Sequence, residues 1–167
     1  EEETLKKFEL TSESIVNISG KKLFRIRALV EFGNVKEGEL GGFVEKEENL
    51  SHEGNAWVYG DAKICGDARV FGDARVCGDA RVYGNAGVCG DAKVCGDADY
   101  ATVKGFGTEF RTTTFFKCKD GIVRVRCGCF YGDLEQFRNQ VKGTRKGKIA
   151  EEYLMIADLM EKHFKEE

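Results

Sequence analysis

The sequence predicts a mainly β fold whose centre is a regular repeat of short strands. Two observations support this prediction: the 167 residues include 21 glycines and no proline, and an unbroken six-residue period runs from Trp57 to Ala98. Abundant glycine without proline indicates regular tight turns and not a flexible linker. The chain is 41% apolar and 33% charged, a globular balance that excludes wholesale disorder.

Seven consecutive hexads make up the repeat: WVYGDA, KICGDA, RVFGDA, RVCGDA, RVYGNA, GVCGDA and KVCGDA. An aliphatic residue stands second in each hexad, with an alanine two places before it, so both columns lie on the same side of a short strand. The Gly-Asp or Gly-Asn pair supplies a corner, because glycine tolerates positive φ and Asp or Asn can hydrogen-bond the local backbone. A helix is excluded, since a glycine every sixth residue would cost it about 1 kcal/mol each.

This repeat resembles the hexapeptide repeat of left-handed parallel β-helices, in which three hexads make one triangular coil of roughly 18 residues. The pattern begins near Phe43, because Val44 and Leu50 are six residues apart and Leu50 and Val58 are eight apart, which indicates a two-residue insertion around His52. The resulting prediction is a short left-handed parallel β-helix at 43–100. An N-terminal β cap at 1–42 and a C-terminal module at 101–167 flank it.

The flanking segments predict strands on both sides of the repeat and two helices at the end. Alternating apolar and polar residues mark the strands, Lys-Asp-Gly marks a hairpin turn, and Asp133 is a helix N-cap with Gln136 three residues later. In chain order we expect strands at 14–18 and 22–32, a hairpin of 112–117 and 122–130, a short helix after Asp133, and a second helix at 148–164.

The tail TTTFFKCKDGIVRVRCGCFYGDLEQF resembles a C-terminal module found after VxGDA-type hexapeptide repeats in uncharacterised bacterial and prophage proteins. The N-terminal stretch RIRALVEFGNVKEGELGGFV fits the same group. This resemblance implies a phage setting, and it brings no activity that can be assigned to individual residues.

The residue after each aliphatic position is expected to point outward. These residues are Tyr59, Cys65, Phe71, Cys77, Tyr83, Cys89 and Cys95. Such thiols and aromatics form a larger apolar surface than an isolated monomer usually exposes. Hexapeptide-repeat proteins are typically trimers, so the resemblance implies a homo-oligomer, most simply a trimer. Terminal segments or a functional groove are the other ways to cover these faces.

One basic segment stands out in a chain whose net charge is -3. Residues 111 to 148 contain ten basic and three acidic side chains. This asymmetry points to an anionic partner. We expect the ligand contacts to be Arg124 and Arg126, which alternation places on one strand face, and Arg145 and Lys146, which lie in the loop KGTRKGK before the last helix.

These features predict a non-catalytic oligomeric protein that sequesters a small anionic ligand, such as a nucleotide signal of antiphage defence. A sequence pI of about 5.6 argues against extended nucleic acid as the partner. One alternative is a hexapeptide-repeat acyltransferase, in which His52 would be the general base and Glu53 its orienting carboxylate. The other is a scaffold or inhibitor that binds a host protein.

The sequence predicts no metal, no cofactor and a cytoplasmic location. Cys118, Cys127 and Cys129 could supply three zinc ligands, but a structural zinc site usually takes four, and the C-x2-C spacing is absent. Free thiols fit a reducing compartment. No stretch approaches the ~18 consecutive apolar residues of a membrane span, and no apolar block near residue 1 resembles a secretion signal.

Overall fold

The computed structural model describes residues 5–166 and consists mainly of β-structure, with two helices at the end. The strands are β1 (Phe8–Val16), β2 (Lys22–Ala28), β3 (Leu40–Val44), β4 (Trp57–Val58), β5 (Lys63–Ile64), β6 (Arg69–Val70), β7 (Arg75–Val76), β8 (Arg81–Val82), β9 (Gly87–Val88), β10 (Lys93–Val94), β11 (Tyr100–Val103), β12 (Thr113–Lys117), β13 (Val123–Cys127) and β14 (Phe130–Asp133). The helices are α1 (Leu134–Thr144) and α2 (Gly147–Phe164).

The repeat forms a three-faced parallel β-solenoid. Strand β7 pairs in parallel with β4 on one side and β10 on the other, β5 pairs with β8, and β6 pairs with β9. Each pair joins residues 18 apart, for example Val58 with Val76, so three hexads complete one coil. The six-residue period thus produces coils whose equivalent positions stack.

The interior of the solenoid is built from the two small columns that the sequence predicts. The alanines from Ala56 to Ala92 and the aliphatic residues from Val58 to Val94 are all buried. At the corners, Gly66 has a φ of +65°, and a Cβ there would lie 3.2 Å from the backbone nitrogen of Gly84 on the next coil. Glycine is needed at such a corner both for its conformation and for the close approach of two coils.

The predicted two-residue insertion is confirmed in the register of the first coil. Val44 pairs with Ile64 and Leu50 with Val70, so these partners are 20 residues apart, whereas later partners are 18 apart. The coil begins at β3, as expected from the spacing. Its strands stop at β10, where the sequence pattern also ends.

The N-terminal hairpin extends the sheet that forms one solenoid face. Strands β1 and β2 are antiparallel, β2 pairs with β3, and β3 pairs in parallel with β5. The indole of Trp57 is buried next to the rings of Phe8 and Phe32, with centroids 6.3 and 5.3 Å away. The expected first strand at 14–18 is wrong in its start, because β1 begins at Phe8 and is interrupted by an irregularity between Leu10 and Ser14.

The C-terminal sheet lies between the solenoid and the two helices. Strands β11 to β14 form a four-stranded antiparallel sheet. Phe116 and Cys118 belong to the core cluster of the solenoid, whereas Phe115 and Val125 pack in a second core with Phe137 of α1 and residues of α2. Alternation along β12 and β13 therefore serves two cores, one on each side of the sheet.

The predicted helices are present, and the loop between them is shorter than expected. Asp133 and Gln136 form the predicted capping box of α1, since each side chain accepts a hydrogen bond from the other residue's backbone N–H. The expected loop KGTRKGK at 142–148 is wrong, because α1 continues to Thr144 and α2 starts at Gly147. Among the described residues, neither helix is long and apolar enough to cross a membrane.

The outward residues of the repeat have three different environments. Cys77 and Cys95 stack on successive coils with Cα atoms 4.4 Å apart and are joined in a disulfide, so the expectation of free thiols is wrong at these two positions. Cys89 is buried because β12 lies against β9, and the backbone N–H of Gly87 donates to Thr114 Oγ1 at 3.0 Å. Tyr83 remains 61% exposed. The C-terminal sheet thus covers part of the solenoid surface, next to β9 and β10.

Candidate anion-binding groove

A groove of about 700 Å³ runs between the β6–β9 face of the solenoid and the C-terminal sheet. The solenoid contributes Arg69, Phe71 and Gly87, and the sheet contributes Thr114 and Arg126. The segment between β11 and β12 lines one side. The groove residues of that segment are Lys104, Phe110, Arg111 and Thr112. Strand β12 contacts both β9 and β10, and the groove lies on the β9 side of this contact.

Arg126 lies across the aromatic ring of Phe71 on the floor of this groove. The guanidinium carbon is 5.1 Å from the ring centroid, within the range of a cation–π contact. Gly87 borders this contact: a Cβ at that position would lie at ordinary contact distance, 3.6 Å from Cγ of Arg126 and 3.9 Å from the Phe71 ring, so only a longer side chain would compete for the space. The aromatic ring fixes the cation without neutralising its charge.

Positive charge exceeds negative charge among the groove residues. The groove is lined by four cations and two carboxylates. The cations are Arg69, Lys104, Arg111 and Arg126, and the carboxylates are Glu53 and Asp67. Asp67 already pairs with Lys46 at 2.7 Å, which lowers the pKa of its carboxyl group, whereas Arg111 pairs with Glu109. Among the ion pairs of residues 5–166, none involves Arg69, Lys104 or Arg126. These three cations are the groups available to an anion.

Arg124 occupies the same face of β13 as Arg126, as alternation predicts, but has a different environment. Its guanidinium Nη1 donates to Asp120 Oδ1 at 3.0 Å, across the hairpin turn. This bond raises the pKa of Arg124 and lowers the pKa of Asp120. Arg124 thus has a carboxylate partner from its own hairpin.

The structure places Arg145 and Lys146 away from the groove, at the junction of α1 and α2. Arg145 lines a smaller cavity of about 260 Å³ on the helix side of the sheet, together with Tyr153 and Gln140. Arg111 and Gly128 border both this cavity and the groove. Lys146 is exposed and immediately precedes α2. The four expected ligand contacts are therefore divided among three environments.

His52 has a partner at each ring nitrogen. Nδ1 accepts a hydrogen bond from the backbone N–H of Lys7 at 3.0 Å, and Nε2 lies 2.8 Å from Glu47 Oε1. Its ring also stacks on Phe8, with centroids 4.3 Å apart. Because Nδ1 accepts, Nε2 must be the protonated nitrogen that donates to the carboxylate. The expectation that Glu53 orients His52 is wrong, because the carboxylate at Nε2 belongs to Glu47. This geometry leaves His52 no free lone pair with which to act as a general base.

The three cysteines considered as zinc ligands do not converge. Cys118 is buried in the solenoid core cluster, whereas Cys127 and Cys129 line the cavity on the helix side of the sheet. Within the described part of the chain, no group of three or more His, Cys, Asp or Glu residues could hold a metal ion. Burial raises the pKa of the Cys89 thiol to about 11 and also raises the pKa of Cys118. Both thiols are protonated packing groups at neutral pH.

Sequence reasoning missed the groove residues outside the basic hairpin, although the repeat contains a signal for one of them. Five of the seven hexads begin with Lys or Arg, and the sixth begins with Gly87. This departure from the pattern marks the point where Arg126 crosses the solenoid. The pattern predicts Phe71 only as an outward residue and assigns Arg69 to no site, because nothing in the local sequence shows which face the tail covers.

Comparison with known proteins identifies the repeat. A family model described as the YdcK beta solenoid repeat matches residues 62–77 and 74–90. Both stretches lie within the seven hexads and together include β5 to β9, in agreement with the observed coils. No curated protein matches the chain. The chain therefore contains a β-solenoid repeat, and over residues 62–90 it is similar to the YdcK repeat.

Proposed function

We propose that this chain is a non-catalytic binding protein that holds a small anionic ligand in the groove between the solenoid and the C-terminal sheet. The supporting observation is Arg126, which makes no ion pair within residues 5–166 and lies on the Phe71 ring, with Arg69 and Lys104 along the same groove. An anion bound there makes charge-assisted hydrogen bonds, each worth about 1.5–3 kcal/mol.

The shape of the groove favours a ligand with both a ring and an anionic group. Its volume of about 700 Å³ is in the range of small-molecule sites, which is roughly 300–1,000 Å³. Phe110 is 61% exposed at its rim and offers an aromatic face for stacking. A mono- or dinucleotide combines these two properties, and the prophage-like tail suggests that the nucleotide is a signal of antiphage defence. Sequestration needs no catalytic group.

The acyltransferase alternative is the weaker proposal, because both ring nitrogens of His52 are engaged, Nδ1 by the backbone N–H of Lys7 and Nε2 by Glu47. Binding to a host protein remains a proposal for the exposed surface outside the groove. We further propose that the coils are left-handed, that the chains assemble as an oligomer, and that the protein acts in the cytoplasm. The unbroken hexads support the first of these, since period six with small inward residues is typical of left-handed β-helices.

Isothermal titration calorimetry tests the proposal directly. The full chain is titrated with a panel of mono-, di- and cyclic nucleotides, and with inorganic phosphate as a probe of the anion alone. We expect at least one nucleotide to bind and Arg126→Gln to weaken that binding at least tenfold. Arg124→Gln is the matched control, because Arg124 is on the same strand face but is paired with Asp120.

The outcomes separate the groove from the other cavity. Arg145→Gln should leave binding within about twofold of the parent, since Arg145 lines the cavity on the helix side of the sheet. The proposal is wrong if no nucleotide binds, or if Arg124→Gln or Arg145→Gln reduces binding as much as Arg126→Gln. Acyl transfer from acetyl-coenzyme A that disappears in His52→Ala would restore the enzyme alternative.

A further inference from the structure

Helix α2 presents an apolar pair to solvent in the middle of its outer face. Met155 is 69% exposed and Leu159 is 59% exposed, and they are four residues apart, so their side chains are neighbours on one stripe. The opposite side of α2 is buried in the second core through Tyr153, Ile156 and Met160. The exposed pair therefore lies outside the second core.

Two opposite charges flank this apolar pair on the same stripe. Glu152 lies one turn before Met155, and Lys162 lies about one turn after Leu159. The ion pairs that α2 makes with α1 use Asp158 and Glu161, both with Arg138. In the part of the chain that the structure describes, Glu152 and Lys162 take part in no ion pair.

The stripe is complementary to itself in an antiparallel arrangement. Met155 and Leu159 are each two residues from position 157, and Glu152 and Lys162 are each five residues from it. With a rise of 1.5 Å per residue, two antiparallel helices that cross at position 157 bring residues at equal distances to the same level. Each Met155 then meets a Leu159, and each Glu152 meets a Lys162. A parallel pairing would instead bring like charges together.

We propose that α2 pairs with α2 of a second copy of this chain, antiparallel, about a two-fold axis at the level of residue 157. The contact is isologous, so every interaction occurs twice. An 18-residue helix is about 27 Å long, and a pair of such helices forms an interface at the small end of specific contacts. The dimer is accordingly a weak one that forms at micromolar to millimolar protein. The groove is built from other elements, so this pairing is independent of ligand binding.

Sedimentation equilibrium of the full chain, from about 10 µM to 1 mM, tests the pairing with a charge-swap cycle. Glu152→Lys places a lysine opposite the partner's Lys162, so two positive charges meet. Lys162→Glu places a glutamate opposite the partner's Glu152, so two negative charges meet. Each single change should weaken the dimer about tenfold, since two exposed ion pairs become two repulsions. The double variant Glu152→Lys/Lys162→Glu should return the dimerisation constant to within about twofold of the parent.

The rescue is specific to this geometry, because positions 152 and 162 are ten residues apart and do not meet within one helix. Met155→Lys should leave a monomer across the whole concentration range, while Tyr83→Ala, a change of an exposed aromatic on the solenoid, should leave the dimer intact. A parent that stays monomeric at 1 mM contradicts the proposal. A double variant whose dimer is as weak as that of either single variant also contradicts it. An oligomer that is dissociated by Tyr83→Ala and not by Met155→Lys contradicts it as well.

Discussion

Val76→Ala tests how far the inward column supports the solenoid. Val76 is fully buried and lies between Val58 and Val94 on the neighbouring coils. The change removes two methyl groups from a core that cannot collapse easily, because the coils above and below fix the spacing. Loss of burial costs about 1.6 kcal/mol at about 0.8 per carbon, and the cavity adds about 1 kcal/mol, so the free energy of unfolding should fall by about 2.5 kcal/mol.

Equilibrium unfolding in urea measures this loss, and Tyr83→Ala is the control. Tyr83 is a larger side chain in the next hexad, but it is 61% exposed, so its removal should cost under about 1 kcal/mol. The comparison is valid if the unfolding free energy falls with urea concentration at the same slope in the parent, Val76→Ala and Tyr83→Ala. If Val76→Ala costs no more than Tyr83→Ala, the inward column does not form the core and the reasoning is refuted.

Three other predictions concern the N-terminal strand and the thiols. His52→Ala should destabilise the chain by about 1–2 kcal/mol in urea unfolding, because the Lys7 N–H loses its acceptor and Phe8 its stacking partner; an unchanged midpoint would contradict this. Burial lowers the pKa of Lys7 to about 8, so the unfolded chain binds more protons than the folded chain between pH 8 and 10.5. The unfolding free energy of the parent, minus that of Lys7→Met, should therefore rise with pH across this range. A difference that stays constant would refute the shift. Iodoacetamide should label exposed Cys129 and spare buried Cys89 in the folded chain, as read by mass spectrometry of peptides; early labelling of Cys89 would show that the sheet does not cover it.

The solenoid could be predicted because its pattern is local. A two-residue offset between alanine and valine fixes which side chains share a face, and a glycine at every sixth position fixes the corners. The start of β1 could not be predicted, because the irregularity between Leu10 and Ser14 interrupts the alternation that marks a strand. The helical end of α1 was missed because Gly143 costs a helix only about 1 kcal/mol, which tertiary packing overcomes.

The groove depends on contacts between distant segments, and for that reason the sequence predicted it only in part. Alternation places Arg124 and Arg126 on one face of β13, and the structure agrees. It cannot reveal that Arg126 meets Phe71, which is 55 residues earlier, or that Arg124 turns to Asp120. The sequence did contain a signal for the second pairing, because Arg124 follows Asp120 by four residues across a tight turn. Arg145 was grouped with them by its charge and its place in the expected loop before the last helix, although it lies on the opposite side of the sheet.

The most direct test of the proposed ligand site is a calorimetric comparison of two substitutions at Gly87. Gly87→Arg restores the consensus of the repeat, so the solenoid should fold normally, but the new side chain must occupy the space where Arg126 crosses Phe71. Gly87→Ala adds only a Cβ at ordinary contact distance, 3.6 Å from Arg126. We predict that Gly87→Ala binds the nucleotide found in the panel within about threefold of the parent, and that Gly87→Arg loses at least tenfold in affinity. Undiminished binding by a folded Gly87→Arg protein would contradict the assignment of the ligand to this groove.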